Sequence, residues 1–192
     1  MQSHYQLFLK YFLGFVDAPK ADVCEIGAGD GWAISYNSGR IRSKTVIDID
    51  DTYRASLEGA GITFVGAELG AGRLPVADGS FDLVLLNHVL EHVPDYRNAT
   101  AEIFRILKKG GVVVIRTPDI ERVKFGFYGD LTHIKAYTLT SLQQLLESEG
   151  FKTILVSRFS YANFMISFLL PQRLRPPLYR FRGKELLYIG KK

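Results

Sequence analysis

The sequence predicts an α/β fold: a doubly wound, mostly parallel sheet of seven strands with helices on both faces. Three observations carry this prediction. Short apolar runs alternate with helix-length segments along most of the 192 residues. The run Phe81–Leu86 (FDLVLL) is apolar almost without a break, as a strand buried on both faces of a parallel sheet must be. A glycine-rich turn, CEIGAGDGW (Cys24 to Trp32), follows the first apolar run, where open parallel sheets hold ligands beyond the carboxyl ends of their strands.

The elements follow in order. Between Gln6 and Val16, apolar residues at Phe8, Leu9, Phe12, Leu13, Phe15 and Val16 give a helix with one broad buried face, so that residues 1–20 form an N-terminal helical segment. Residues 21–118 form the core. Ala21–Ile26 is its first strand, and the glycine turn leads into a helix from about Asp30. Thr45–Asp48 is the second strand, Thr52–Glu58 a helix and Ile62–Val65 the third strand. The turn Ala77-Asp78-Gly79 precedes the fourth strand, Phe81–Leu86. Tyr96–Leu107 has helical spacing, with Gly110-Gly111 as its expected C-cap. Val112–Ile115 is the fifth strand, stopped by Thr117-Pro118. Residues 119–137 make a connection long enough to be functional. Leu139–Ser148 is a helix closed by Gly150, Phe151–Val156 the sixth strand and Glu185–Ile189 the seventh, with residues 158–184 an insertion before it.

Composition fits one globular domain: 47% of the residues are hydrophobic, and no apolar run approaches the ~20 residues that span a bilayer. The opening MQSHYQLFLK lacks the basic start and small-residue cleavage site of a secretory signal. The single Cys24 sits in a strand-like run and reads as a small buried apolar residue, which fits a reducing cytoplasm. The net charge of +4 is unevenly spread. From Phe151 onward there are nine basic residues against one acid, Glu185, whereas the first 150 residues are net acidic. Either this basic end meets an anionic partner or it is a solvated surface balancing an acidic body. Within it, YANFMISFLLPQRLRPPLYRFRGK sets an apolar run before Arg173, Arg175, Arg180 and Arg182. That combination suits a peripheral membrane contact; the alternative is an insertion folded over the sheet. No nucleic-acid module is recognisable, so no nucleic-acid partner is expected.

The glycines fall at positions 27, 29 and 31, not at the G-x-G-x-x-G spacing of dinucleotide sites, and Trp32 follows the last of them. Asp48 ends the second strand, where a carboxylate can accept both hydroxyls of a ribose. Asp50 and Asp51, two and three residues further, are rival candidates for that carboxylate, but the favoured reading makes them helix caps before Thr52. Together with Leu74–Asp95 (LPVADGSFDLVLLNHVLEHVPD) and Glu102–Pro118 (EIFRILKKGGVVVIRTP), these blocks resemble the class I S-adenosylmethionine-dependent methyltransferases, in the group acting on small molecules. The resemblance runs from about Ala21 to Phe151. It implies a Rossmann-like sheet whose last strand is antiparallel, with S-adenosylmethionine as cofactor. It further implies that the glycine turn packs against the methionine part of the cofactor and that Asp48 holds the ribose, with Glu25, Gly27, Ala28, Gly29, Ile49, Asn87 and His88 among the residues that hold or adjoin the cofactor. Family members often carry an aspartate for the adenine amino group near the end of strand three. Here the region reads VGAELGAGRLP, with Glu68 its one acid, so either Glu68 substitutes for that aspartate or backbone groups make the adenine contact.

Methyl transfer is an in-line displacement in which the enzyme mainly aligns acceptor and methyl group, and a hydroxyl acceptor benefits from a base. His88, directly after strand four, is one candidate base, the alternative being a pocket-shaping residue. His133 is the other. It stands in Asp130-Leu-Thr132-His133, resembling a D-x-T-H segment of related enzymes, with Asp130 as orienter; the alternative is a histidine that pins the loop. His92 reads as structural. His88-Val-Leu-Glu91-His92 matches a zinc-protease pattern, but its segment reaches Pro94 two residues later, too short for that helix, and no metal is expected. Phe125, Phe127 and Tyr128 either line an acceptor pocket or bury the loop. The expected function is methyl transfer to a small-molecule or lipid-linked acceptor, a cell-envelope sugar among them, at oxygen. A binding protein that keeps the fold and a nicotinamide oxidoreductase are the rivals.

Overall fold

The computed structural model describes residues 4–31, 33–160, 164 and 183–192. Seven strands form one sheet: β1 (Ala21–Ile26), β2 (Ile41–Asp48), β3 (Thr63–Gly66), β4 (Phe81–Asn87), β5 (Leu107–Pro118), β6 (Lys152–Phe159) and β7 (Glu185–Lys191), in the order β3-β2-β1-β4-β5-β7-β6. Neighbours run parallel except β7, which is antiparallel to β5 and β6. The doubly wound sheet with an antiparallel last strand is as the sequence predicts. β2 and β3 wind away on one side of β1 and β4 returns on the other, so the switch point lies between β1 and β4.

Among the described residues the α-helices outside the 161–182 segment are α1 (His4–Phe12), α2 (Arg54–Gly59), α3 (Tyr96–Ile106), α4 (Ile120–Val123) and α5 (Leu139–Ser148). The two-residue period of the strands divides the core in two. Val23, Leu83, Leu85 and Val114 face Phe8, Leu9 and Phe12 of α1 and Leu57 of α2. Cys24, Val84, Leu86 and Ile115 face Ala99 and Ile103 of α3 and Leu142 and Leu146 of α5. Both faces of β4 are therefore covered, which is why its sequence is apolar without alternation. Side-chain caps start the two longer helices on that second face. Asp95 accepts the N–H of Asn98 (2.9 Å), and Thr138 and Ser141 form a reciprocal capping box.

Two expectations fail locally. Among the described residues, 29–35 form turns where a helix was expected. The left-handed backbone of Gly27, Gly29 and Gly31 ends with the Ser35 N–H and hydroxyl both on the Gly31 carbonyl (3.0 and 2.6 Å), and the chain turns away after this single turn. Gly110-Gly111 does not cap α3, which ends at Ile106 with Leu107 already extended. β5 passes from Leu107 opposite Phe81 to Val112 opposite Leu83, so residues 108–111 bulge out. The bulge brings the Lys108 ammonium between Asp22 and Asp82 (2.6 and 2.7 Å), two acids that neighbouring strands hold side by side.

The 119–137 connection is ordered by its ends. Asp119, fully buried at the exit of β5, accepts the Glu121 N–H (3.0 Å) and pairs with Arg158 Nε (2.7 Å). Asp119→Ala uncaps α4 and leaves Arg158 half-paired. It is expected to cost about 3 kcal/mol and to expose the connection to protease, as urea denaturation and limited proteolysis would read. β6 extends to Phe159, into the expected 158–184 insertion. Apart from Phe164, which packs on Phe8, Tyr11 and Phe159, residues 161–182 with their apolar run and four arginines lie outside the described residues. No helix among the described residues is long and apolar enough to cross a membrane.

Candidate active site

A cavity of about 350 Å³ opens at the carboxyl ends of β1, β2 and β4, at the switch point. Its floor is the glycine turn, where Gly27 (φ 66) and Gly29 (φ 53) are left-handed. A Cβ on Gly27 would stand 2.4 Å from the Val89 side chain on the opposite wall, so the turn leaves the cavity open only because it carries hydrogen there. Asp48 stands at the rim. One carboxylate oxygen accepts the Gly29 N–H (3.1 Å) and the other the Asp50 N–H (3.0 Å), which fixes the side chain and leaves further lone pairs for hydroxyl donors. Ile49 (72% exposed) and Glu68 line the same cavity beside Asp48. Asp50 also lines it, but caps a local turn through Thr52 (2.9 Å) and not the start of α2 at Arg54.

Of the expected cofactor residues, Gly27, Gly29, Asp48, Ile49, Glu68 and His88 reach the cavity. Glu25, Ala28 and Asn87 do not line it; Glu25 and Ala28 are buried and Asn87 is half-buried. Glu25 accepts the Ile34 N–H (3.1 Å) and the Asn87 amide (2.9 Å). Burial pushes its carboxyl up to about 7, against the opposing effect of those two hydrogen bonds. It ties the glycine turn to the end of β4 from behind. Val89, Val93 and Pro94 supply apolar walls that the sequence reading left out; their signal was their place in the block following strand four.

His88 has a left-handed backbone (φ 55), unusual for a side chain of its kind. Its Nδ1 is 3.2 Å from Glu91 and its Nε2 3.4 Å from Glu185, which in turn holds Arg116 at 2.6 Å. Burial by itself would lower the His88 pKa, but hydrogen bonds to Glu185 and Glu91 outweigh it and push the pKa up to about 9. The ring thus faces Glu91 through Nδ1 and Glu185 through Nε2 on the cavity wall, and the Arg116 guanidinium also stands 3.4 Å from Nε2.

The long connection meets this wall. His92, which lines the cavity, brings Nδ1 to 3.1 Å from the Thr132 carbonyl and 2.9 Å from its hydroxyl. His133 stacks on the buried Phe127 (centroids 4.4 Å) and places Nδ1 2.6 Å from its carbonyl. The two imidazoles lie 4.8 Å apart. Asp130 is 3.9 Å from His133 Nε2 and is engaged mainly in a turn with Thr132. Phe127 buries the loop, whereas Phe125 and Tyr128 point outward, as do Leu131 and Ile134.

A sequence profile of the methyltransferase domain family matches residues 1–156. The chain belongs to the class I S-adenosylmethionine-dependent methyltransferases. A probable S-adenosylmethionine-dependent methyltransferase of Mycolicibacterium smegmatis is 31% identical over 136 residues, 68% of this chain and 52% of its own length. The chain thus spans about half of the curated methyltransferase relatives it matches. A solved S-adenosylmethionine-dependent methyltransferase of Mesorhizobium loti shares the fold at TM-score 0.74 and 19% identity, with 100% of this chain and 99% of that chain covered. A Burkholderia thailandensis 1,6-didemethyltoxoflavin-N1-methyltransferase with S-adenosylhomocysteine bound aligns at TM-score 0.67 and 21% identity, over 99% of this chain and 77% of that one. The residues present fit the cofactor of this methyltransferase family. The turn is one that a Cβ would block, the rim carries a carboxylate fixed by backbone N–H groups, and apolar walls flank it.

Proposed function

We propose that the chain transfers the methyl group of S-adenosylmethionine to a hydroxyl of a small-molecule acceptor that enters from the side of residues 119–137. The observation that carries this reading is the junction at His92. This residue lines the cofactor cavity and is hydrogen-bonded to Thr132 of the connection, so an acceptor bound against that segment lies beside the transferable methyl. The cofactor supplies the activated methyl group. Asp48 would hold its ribose, the Gly27–Gly29 turn its methionine part and Glu68 its adenine end, while Glu25 positions the turn from behind. His88, with both ring nitrogens directed at carboxylates, serves this reading as a fixed hydrogen-bond donor on the wall. His133 is the candidate base, with Asp130 at 3.9 Å as its orienter.

Exposed Phe125, Tyr128, Leu131 and Ile134 are interspersed with Arg122, Lys124 and Lys135. That surface supports an acceptor with an apolar part and an anionic group, such as a lipid-linked sugar phosphate. A contact of residues 158–184 with a membrane surface would serve the same acceptor and rests on sequence.

Calorimetric titration with S-adenosylhomocysteine tests the cofactor half. Wild type should bind with micromolar affinity and Asp48→Ala roughly tenfold more weakly, since the rim is open to solvent and one charge-assisted bond there is worth little more than 1 kcal/mol. Binding of NAD in place of S-adenosylhomocysteine would overturn it. Incubation with methyl-labelled S-adenosylmethionine and polar and lipid extracts tests the acceptor. Label in an alkali-stable ether supports transfer to a hydroxyl; cofactor binding with no label in either extract favours a binding protein.

A further inference from the structure

We propose that Glu91, His92 and His133 form a site for one divalent transition-metal ion at the acceptor end of the cofactor cavity. Each residue offers one ligand atom, and these atoms lie within 4.8 Å of one another. Bonds of ~2.1 Å to a tetrahedral ion put ligand atoms roughly 3.4 Å apart, so side-chain rotations of about 1 Å close the site.

The hydrogen bonding around the two histidines is already that of metal ligands. Carbonyl oxygens only accept, so the Phe127 carbonyl fixes the proton of His133 on Nδ1. The Thr132 hydroxyl gives its proton to the Asp130 carboxylate (2.6 Å) and therefore accepts from His92, as the Thr132 carbonyl does. Both rings are thus locked in the tautomer whose lone pair is on Nε2, by the outer contacts that orient ligating histidines. Glu91 is fully buried and already has His88 on one oxygen and the Thr117 hydroxyl on the other (3.0 Å). A carboxylate has about four lone-pair positions, so one remains on each oxygen for an ion.

Two imidazoles and one carboxylate make a borderline donor set that suits zinc, cobalt or nickel better than magnesium or calcium. Three protein ligands leave a fourth position open, the arrangement of ions that act on a bound molecule. This wall of the cavity is where the acceptor enters under the methyl-transfer reading, and the ion's role, though not its binding, rests on that reading. An acceptor hydroxyl in the open position gives its proton to water. Its oxygen then forms the new C–O bond while the S–C bond of the cofactor breaks and that electron pair stays on sulfur. With the ion bound, His133 Nε2 is a ligand, and the ion replaces it in acidifying the hydroxyl.

The test uses the full chain, stripped with a chelator and dialysed. Zinc is titrated by calorimetry and cobalt by visible absorption, on wild type, His133→Ala and His92→Ala, with circular dichroism to confirm folding and S-adenosylhomocysteine affinity measured alongside. The site predicts one equivalent of zinc bound micromolar or tighter, a cobalt absorption band of histidine-ligated intensity, and at least tenfold weaker binding in each variant. Absence of stoichiometric binding, or equal affinity in the folded variants, overturns it. Zinc binding without S-adenosylhomocysteine binding keeps the site and removes the methyl-transfer reading; the reverse result removes only the site.

Discussion

Replacing Gly27 with alanine is expected to cost about 3 kcal/mol of stability and to weaken S-adenosylhomocysteine binding roughly a hundredfold. Two effects add. The backbone is left-handed there, which costs an alanine about 1 kcal/mol. The new methyl would stand 2.4 Å from Val89 Cγ2, and Val89 is β-branched with little rotamer freedom to retreat. The backbone cannot yield cheaply either, because the Gly27 N–H is bonded to the Ile47 carbonyl of β2 (2.9 Å). Strain would pass into Val89 and narrow the cavity between turn and wall. Gly29→Ala separates the two effects. Its φ of 53° imposes the same conformational cost, but nothing among the described residues stands within 4 Å of the added methyl. It should lose only about 1 kcal/mol and bind far better than the Gly27 variant. Urea denaturation and calorimetry on both proteins decide the matter; equal behaviour would show that close approach is not what the turn provides.

The glycine turn and Asp48 were legible because their signals are local: one side chain reaches the turn across the carboxyl ends of adjacent strands, and both lie in short stretches of the sequence. The doubly wound, mostly parallel sheet followed from alternation and from the uninterrupted apolar run of β4, and its antiparallel last strand from the family resemblance; the order of the strands came from the structure. What escaped depends on partners far along the chain. Gly110-Gly111 looked like a helix cap because nothing nearby announces that Lys108 must reach Asp22, 86 residues earlier. His88 reads as a candidate base or a pocket-shaping residue, and its contact with Glu185 could not be anticipated because Glu185 opens β7 after the whole insertion. His92 reads as structural, and the contacts it makes with Thr132 and His133, 40 residues and more along the chain, form a junction that no period or spacing connects. Asp130 and His133 were noticed together as neighbours in one motif, and the fold leaves them 3.9 Å apart while giving Asp130 mainly to Thr132.

Glu25→Gln is expected to stabilise the protein by about 2 kcal/mol at pH 8 and to change it little at pH 5. Buried under the turn, the carboxyl is pushed from an ordinary 4.5 up to about 7. A group whose folded pKa is raised binds its proton more tightly when folded. It therefore costs nothing below the unfolded value, costs progressively more between about 4.5 and 7, and carries its full penalty of about 3 kcal/mol above that. Glutamine removes the charge and keeps the shape. Its carbonyl oxygen still accepts the Ile34 N–H, and its amide finds an acceptor in Asn87 Oδ1, which is buried without a hydrogen-bond partner among the described residues. Rotation of the Asn87 amide would make that bond, so the substitution trades a buried anion for a matched amide pair. The measurement is the difference in urea stability between variant and wild type across pH 5–8.5, which cancels every other titrating group. A difference that grows with pH confirms a buried acid held under the turn; a flat or falling one would show that Glu25 is ionised and fully satisfied where it stands. Because Glu25 acts from behind the turn and does not line the cavity, the same variant should bind S-adenosylhomocysteine within about threefold of wild type, unlike Gly27→Ala, whose added methyl points into the cavity.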